Sequence, residues 1–199
     1  EYFKVHEFGM IPHPTIKFIG ASPDGIQMSG HMKEIKCPKT RKISNSVPKY
    51  YREQMYSQME CADLNYCDFF QAKIVEYKNR KEYLSEGREF KRDGTGLFKG
   101  CIIKKGEEEY IYPPCLDMSY GRMNRWIKKN RVDKDGKPRE VIYWKLLKYT
   151  YVLVKRDEQW LDDNMGALTE TWKAVEDRRG SNYYDNIRSE YSEYEDSSE

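Results

Sequence analysis

Apolar and polar residues alternate over 3–8 (FKVHEF), the period of a strand with one buried face. A connection with two prolines follows, GMIPHPT. The run 16–21 (IKFIGA) predicts a second strand, and Ser22, Pro23, Asp24 and Gly25 end it in turn chemistry. Alternation returns at 31–37 (HMKEIKC), a third strand that Pro38 stops. These three runs predict an antiparallel meander.

The pattern then changes period. Residues 48–61 read as a helix with a proline in its opening turn, with Tyr51, Met55, Gln58 and Met59 at helical spacing. The aromatic and β-branched run 66–77 predicts a strand. Polar residues 78–96 read as a loop with some helix, and 97–104 with 109–114 as a hairpin around Lys105 and Gly106. Residues 116–130 predict a helix weakened by Gly121, and 132–140 a turn-rich connection. The longest β-prone run is 141–156. A helix is expected over 157–179, capped by Asp157, with Trp160, Leu161, Leu168, Trp172 and Val175 on its buried side. The β-β-β-α-β start argues for an α/β or α+β core.

Composition narrows the class. The chain has 199 residues, enough for one domain, expected over 1–179. Hydrophobic residues make up only 38%, but 17 tyrosines can bury rings and keep hydroxyls wet. No apolar run is long enough for a transmembrane helix, so no membrane partner is expected. Five irregularly spaced cysteines without a CxxC argue against disulfides or zinc and for an intracellular, reducing compartment. Residues 180–199 carry six acidic residues and one basic one, and are expected to be a disordered acidic tail beside a mildly basic body.

The chemistry gathers in GASPDGIQMSGHMKEIKCP. Successive strand side chains face opposite ways, so Glu34 and Lys36 point together and Ile35 is expected to point into the core. Asp24, at the end of the neighbouring strand, can reach that same face. Two carboxylates converging on one point need a cation between them, and oxygen ligands favour Mg²⁺ or Mn²⁺. An ammonium beside such an ion can position or deprotonate an attacking water, a design for metal-assisted phosphodiester hydrolysis. For the bare spacing, the competing reading is a solvated turn and a surface salt bridge.

Ser22 to Gly25 followed by EIKCP (34–38) resembles the signature of the lambda-exonuclease-like, or YqaJ viral recombinase, family of the PD-(D/E)XK nuclease superfamily. The resemblance implies a restriction-endonuclease-like core, a mixed central sheet flanked by helices. It gives Asp24 and Glu34 the metal, with the Ile35 carbonyl as a further ligand, and gives Lys36 the water. The family follows ExK with a helix bearing Tyr-x-x-Gln and an aromatic-rich strand. Tyr51 and Gln54, then YCDFFQAKI, match that order. Gln54 thereby joins the catalytic candidates, Tyr51 and Gln54 become phosphate or water contacts, and Gln58 is a weaker candidate. Ser22 joins the substrate-contact set, although its hydroxyl also suits capping the turn. The family's upstream helix is expected to be absent from this chain.

Basic residues extend the picture. Lys39, Arg41 and Lys42 directly follow the ExK strand and are candidates for DNA backbone contact. A second cluster is Arg122, Arg125, Lys128, Lys129 and Arg131, with Trp126 in its midst. The expected function is a divalent-metal-dependent deoxyribonuclease. The resemblance adds 5′-to-3′ action on double-stranded DNA ends in viral or phage recombination or replication. It also adds a single-strand annealing protein and a homo-oligomer as candidate partners, and the host cytoplasm or nucleus as the place of a viral protein. The alternatives are a catalytically incompetent DNA-binding or assembly module and a structure-specific endonuclease.

Overall fold

The computed structural model describes residues 4–86, 98–116 and 118–179. The expected acidic tail and residues 87–96 of the expected loop lie outside them. The strands are β1 (Val5–His6), β2 (Ile11–Pro12), β3 (Gly20–Ala21), β4 (Gly25–Gln27), β5 (His31–Lys36), β6 (Tyr66–Glu76), β7 (Lys99–Lys104), β8 (Tyr110–Ile111) and β9 (Val141–Lys155). The helices are α1 (Lys49–Ala62), α2 (Arg80–Ser85), α3 (Tyr120–Asn130) and α4 (Trp160–Arg179). Among the described residues one sheet has the strand order β1-β4-β5-β6-β9-β7-β8, and β2 pairs with β3.

The sheet is mixed. Lys33 reaches Asp68, while Lys73, five residues further along β6, reaches the carbonyls of Pro38 and Lys39. Partner numbers rise together, so β5 and β6 run parallel. α1 supplies the crossover that a parallel pair requires. Between β6 and β9 the partners run oppositely: Gln71 bonds Thr150, and the Tyr77 N–H donates to the Tyr143 carbonyl at 2.8 Å. The expected α/β class with a mixed sheet and flanking helices is what the structure has.

The described residues fall into two compact units. One lies within Glu1–Met32, Pro48–Cys67 and Val154–Glu199. Here α1 buries Met55, Gln58, Met59, Glu60 and Cys61, and ends at Asp63 in the left-handed region (φ 49°). The buried Glu60 carboxylate accepts from Arg156 Nε at 2.8 Å and Nη2 at 2.7 Å, a two-pronged pair that offsets its desolvation. Of the residues expected on the buried side of α4, Trp160 is buried. Leu161, Leu168, Trp172 and Val175 are half-buried, with Phe18 stacked on Trp172 at 5.7 Å.

The other unit lies within Lys33–Val47 and Asp68–Leu153. Its core joins Tyr77, Tyr83, Cys101, Met118, Met123, Ile127 and Tyr143, bringing α2 and α3 onto the sheet. Burial pushes the Cys101 thiol and the Tyr83 hydroxyl each up to about 12. Asn79 caps α2, its side chain accepting the Glu82 N–H at 3.0 Å. The expected hairpin forms: β7 pairs antiparallel with β8, and the Lys105 N–H closes the turn on the Glu109 carbonyl at 2.7 Å.

The N-terminal meander differs from expectation. The run 16–21 is strand only at Gly20–Ala21, paired with Ile11–Pro12. His13 Nδ1 accepts the N–H groups of Thr15 (3.2 Å) and Ile16 (3.1 Å), and the Ile19 N–H turns back to the Ile16 carbonyl (3.2 Å). Those donors are consumed locally and cannot join a ladder. The strand that pairs with β1 is β4, which begins inside the predicted turn.

Candidate active site

β5 places the central pair. Met32 and Glu34 on one face are fully buried, and Glu34 forms an ion pair with Lys36 two residues along. The Lys36 side chain keeps 24% of its surface, so the ammonium sits at the rim of a face whose acid is inside. A carboxylate withdrawn from water is tolerated only with such a partner.

Ile35 corrects an expectation: it is 49% exposed rather than in the core. Alternation correctly grouped Glu34 with Lys36. The assignment of the inward face rested on Ile35 being the apolar residue, and the paired carboxylate took that face instead, beside Met32.

Asp24 is exposed and lies immediately before β4, between buried Pro23 and buried Gly25. Gly25 has a steric reason: a Cβ there would overlap Val5 Cγ1 and sit 3.1 Å from the His6 carbonyl oxygen. Ser22 is exposed and its carbonyl accepts from Gln58 Nε2 at 3.1 Å. Gln58, buried on α1, therefore holds the backbone that leads into Asp24. On the same helix Tyr51 is half-buried, with its ring 4.2 Å from that of Tyr50, and Gln54 is exposed.

The segment after β5 is tied down by residues that sequence reasoning missed. Arg41 Nη2 donates to Gln71 Oε1 at 2.8 Å, and Gln71 Nε2 donates to the Ser44 carbonyl (2.9 Å) and to Thr150 Oγ1 (3.0 Å). Lys73 holds the Pro38 and Lys39 carbonyls. Asp68 accepts from Lys33 and from the Tyr151 hydroxyl. The available signal was Asp68 and Gln71, polar residues flanking Phe69 and Phe70 in the strand run; buried polar groups must find partners. Lys39 and Lys42 are exposed, and Arg41 is half-buried.

The donors assigned from the sequence (Asp24, Glu34 and the Ile35 carbonyl) are all oxygen. Oxygen donors of that kind suit a hard divalent ion. Among the described residues no three His, Cys, Asp or Glu side chains gather as a metal cluster. The described cysteines are free, with Cys61, Cys67 and Cys101 buried. No helix of the described residues is long and apolar enough to cross a membrane.

The chain is similar to proteins already known. An uncharacterized protein of Acanthamoeba polyphaga mimivirus is 29% identical over 215 residues, covering 86% of this chain and 39% of that relative. A solved alkaline exonuclease, LHK-Exo from Laribacter hongkongensis, is 20% identical with a TM-score of 0.47, covering 94% of this chain and 64% of that one. The same enzyme in complex with dAMP gives 21% identity and a TM-score of 0.46. The chain thus spans about two fifths of the length of the viral relative and under two thirds of the exonuclease. Residues 2–65, which hold Asp24, Glu34, Lys36, Tyr51 and Gln54, match the YqaJ-like viral recombinase domain, the family that the motifs of this chain resemble.

Proposed function

We propose that the chain is a divalent-metal-dependent deoxyribonuclease that hydrolyses phosphodiester bonds. Its action would be 5′-to-3′ and exonucleolytic from double-stranded DNA ends, in viral recombination or replication. One observation carries the reading: a fully buried Glu34 is paired with a rim-exposed Lys36 on one strand face, inside the segment that matches the recombinase domain. An acid held inside and an ammonium at the water edge is a suitable pair for directing a nucleophilic water at a phosphate.

The roles follow from the residue types. Asp24, Glu34 and the Ile35 carbonyl would hold Mg²⁺ or Mn²⁺, which when bound supplies positive charge to a phosphate oxygen and eases ionisation of water. Lys36 orients the attacking water and takes part in its deprotonation. Gln54 and Tyr51 contact the water or scissile phosphate, and Gln58 keeps the backbone before Asp24 in place. Ser22, Lys39, Arg41 and Lys42 contact the substrate strand. The chain works as one nuclease domain of restriction-endonuclease-like, PD-(D/E)XK type over 1–179. A single-strand annealing protein and a second copy of the chain are its proposed partners, in the host cytoplasm or nucleus.

Linear and covalently closed circular duplex DNA, each with Mn²⁺ and with EDTA, test this reading. Metal-dependent loss of the linear form alone supports an exonuclease. Nicking of the circle replaces it with an endonuclease, and intact DNA in every lane returns the chain to the class of binding modules.

A further inference from the structure

The reaction above leaves the basic cluster of α3 unused. At about 100° per residue, the buried Met123 and Ile127 mark one side of this helix. The opposite arc holds Gly121, Arg122, Arg125, Lys128 and Lys129, all exposed. Four of those five positions are basic and none is acidic, so the outer face is a continuous cationic ladder.

Its charges are arranged against helix stability. Arg122 and Arg125, Arg125 and Lys128, and Arg125 and Lys129 are like charges three or four positions apart, which destabilise a helix. Lys128 and Lys129 in the last turn complement the helix dipole, but Arg122 in the first turn opposes it. Side-chain pairing within the helix therefore does not account for the ladder.

The neighbouring chain reinforces it. From Ser119 to Arg139 there are eight basic and two acidic residues, a net +6. The whole chain is +2, so the other 178 residues sum to +2 − 6 = −4. One of the two acids is engaged in the backbone: Asp133 Oδ1 accepts the N–H groups of Asp135 (2.9 Å) and Lys137 (2.8 Å). Arg139 bonds the Asn130 carbonyl at 3.0 Å, fastening this basic turn to the end of α3. At the other end Arg80 donates to the Tyr120 hydroxyl (3.0 Å) and Asn124 Oδ1 (3.3 Å).

The ladder selects its partner. A membrane-surface helix must offer its apolar side to lipid, but here Met123 and Ile127 are locked in the core. A protein interface needs a buried apolar anchor, and the outer arc contains none. Arg122 to Lys129 spans about 10 Å of helix, over which each strand of a duplex presents about three phosphates.

We propose that the outer face of α3 and its following turn bind the phosphate backbone of duplex DNA, without regard to sequence, through residues that take no part in hydrolysis. This rests on the reading of DNA as the substrate and adds an anchoring surface to it.

The test is fluorescence anisotropy of a labelled duplex in EDTA at 50–200 mM salt, comparing the full chain with an Arg122→Gln, Arg125→Gln, Lys128→Gln, Lys129→Gln variant. Glutamine keeps helix propensity, and circular dichroism checks the fold. A less severe Arg125→Gln, Lys129→Gln variant replaces it if the fold is lost. The expected result is about 10- to 100-fold weaker binding, with the slope of log affinity against log salt reduced by about 2–4, near 0.9 for each lost phosphate contact. Unchanged affinity and slope overturn the proposal, as does no binding by the unaltered chain at 50 mM salt. Anionic phosphatidylserine vesicles or polyglutamate that bind as tightly as DNA, and lose as much in the variant, overturn the assignment to DNA. Because no cleavage is read, a chain that binds this way but hydrolyses nothing removes the nuclease reading and leaves this surface standing.

Discussion

Replacing Lys36 with methionine keeps most of the stem and removes the charge that faces buried Glu34. Breaking one side of a buried ion pair costs roughly 3–5 kcal/mol, because the remaining charge is left desolvated. Glu34 is fully buried, but Lys36 keeps 24% of its side-chain surface, so water reaches the cationic end and the lower bound of about 3 kcal/mol applies. With a urea dependence of about 2 kcal/mol per molar, the unfolding midpoint of Lys36→Met should fall by roughly 1.5 M, read by tryptophan fluorescence. Adding Glu34→Gln removes the carboxylate's charge and should restore about 2 kcal/mol of the loss. Two results together refute the reasoning: a Lys36→Met midpoint within about 0.2 M of the unaltered chain, and no recovery in the double variant. They would mean that the Glu34–Lys36 pair does not support the fold.

Two further predictions concern the scaffold. Gly25→Ala forces a Cβ against Val5 and the His6 carbonyl. It should loosen the pairing of β1 with β4 by about 1–3 kcal/mol and speed amide exchange at Ile26 and Gln27; unaltered exchange there contradicts the packing. Burial holds the Cys101 thiol above its ordinary 9.0, at about 12, so it stays neutral in the fold while the unfolded chain ionises. Its contribution is intact below pH 9 and drains away as pH rises toward 12, about 4 kcal/mol in all. A Cys101→Ala variant should therefore lose less stability than the unaltered chain between pH 8 and 11, in urea melts at each pH. Parallel curves contradict this.

Local features of the chain were legible where local chemistry decides them. The helix over 48–61, the β5 alternation, the hairpin at Lys105 and the long β9 run all formed close to their expected bounds. Legibility failed where a side chain intervened or a partner lay far away in sequence. His13 took the Ile16 amide, and the Ile19 amide turned back to the Ile16 carbonyl, so 16–21 could not extend as a strand. The inward face of β5 was misassigned because hydrophobicity marks the core only when no charge pair competes for it, as Glu34 and Lys36 do. The Arg41–Gln71–Thr150 chain links residues up to 79 positions apart, and the insertion of β9 between β6 and β7 is a matter of topology. Neither leaves a periodic trace in the sequence. On β5, alternation placed Glu34 and Lys36 on one face, where they pair, while the layer that fixes the following segment emerged only from coordinates.

End-labelled linear duplex DNA with Mg²⁺ or Mn²⁺, digested by the unaltered chain and by Lys36→Ala, tests whether β5 carries metal-dependent hydrolysis. The unaltered chain should release mononucleotides only with the metal, and that release should be lost in a variant that remains folded and still binds the duplex. Equal release by both proteins would contradict the role given to Lys36, and release that persists in EDTA would contradict divalent-metal chemistry at this strand.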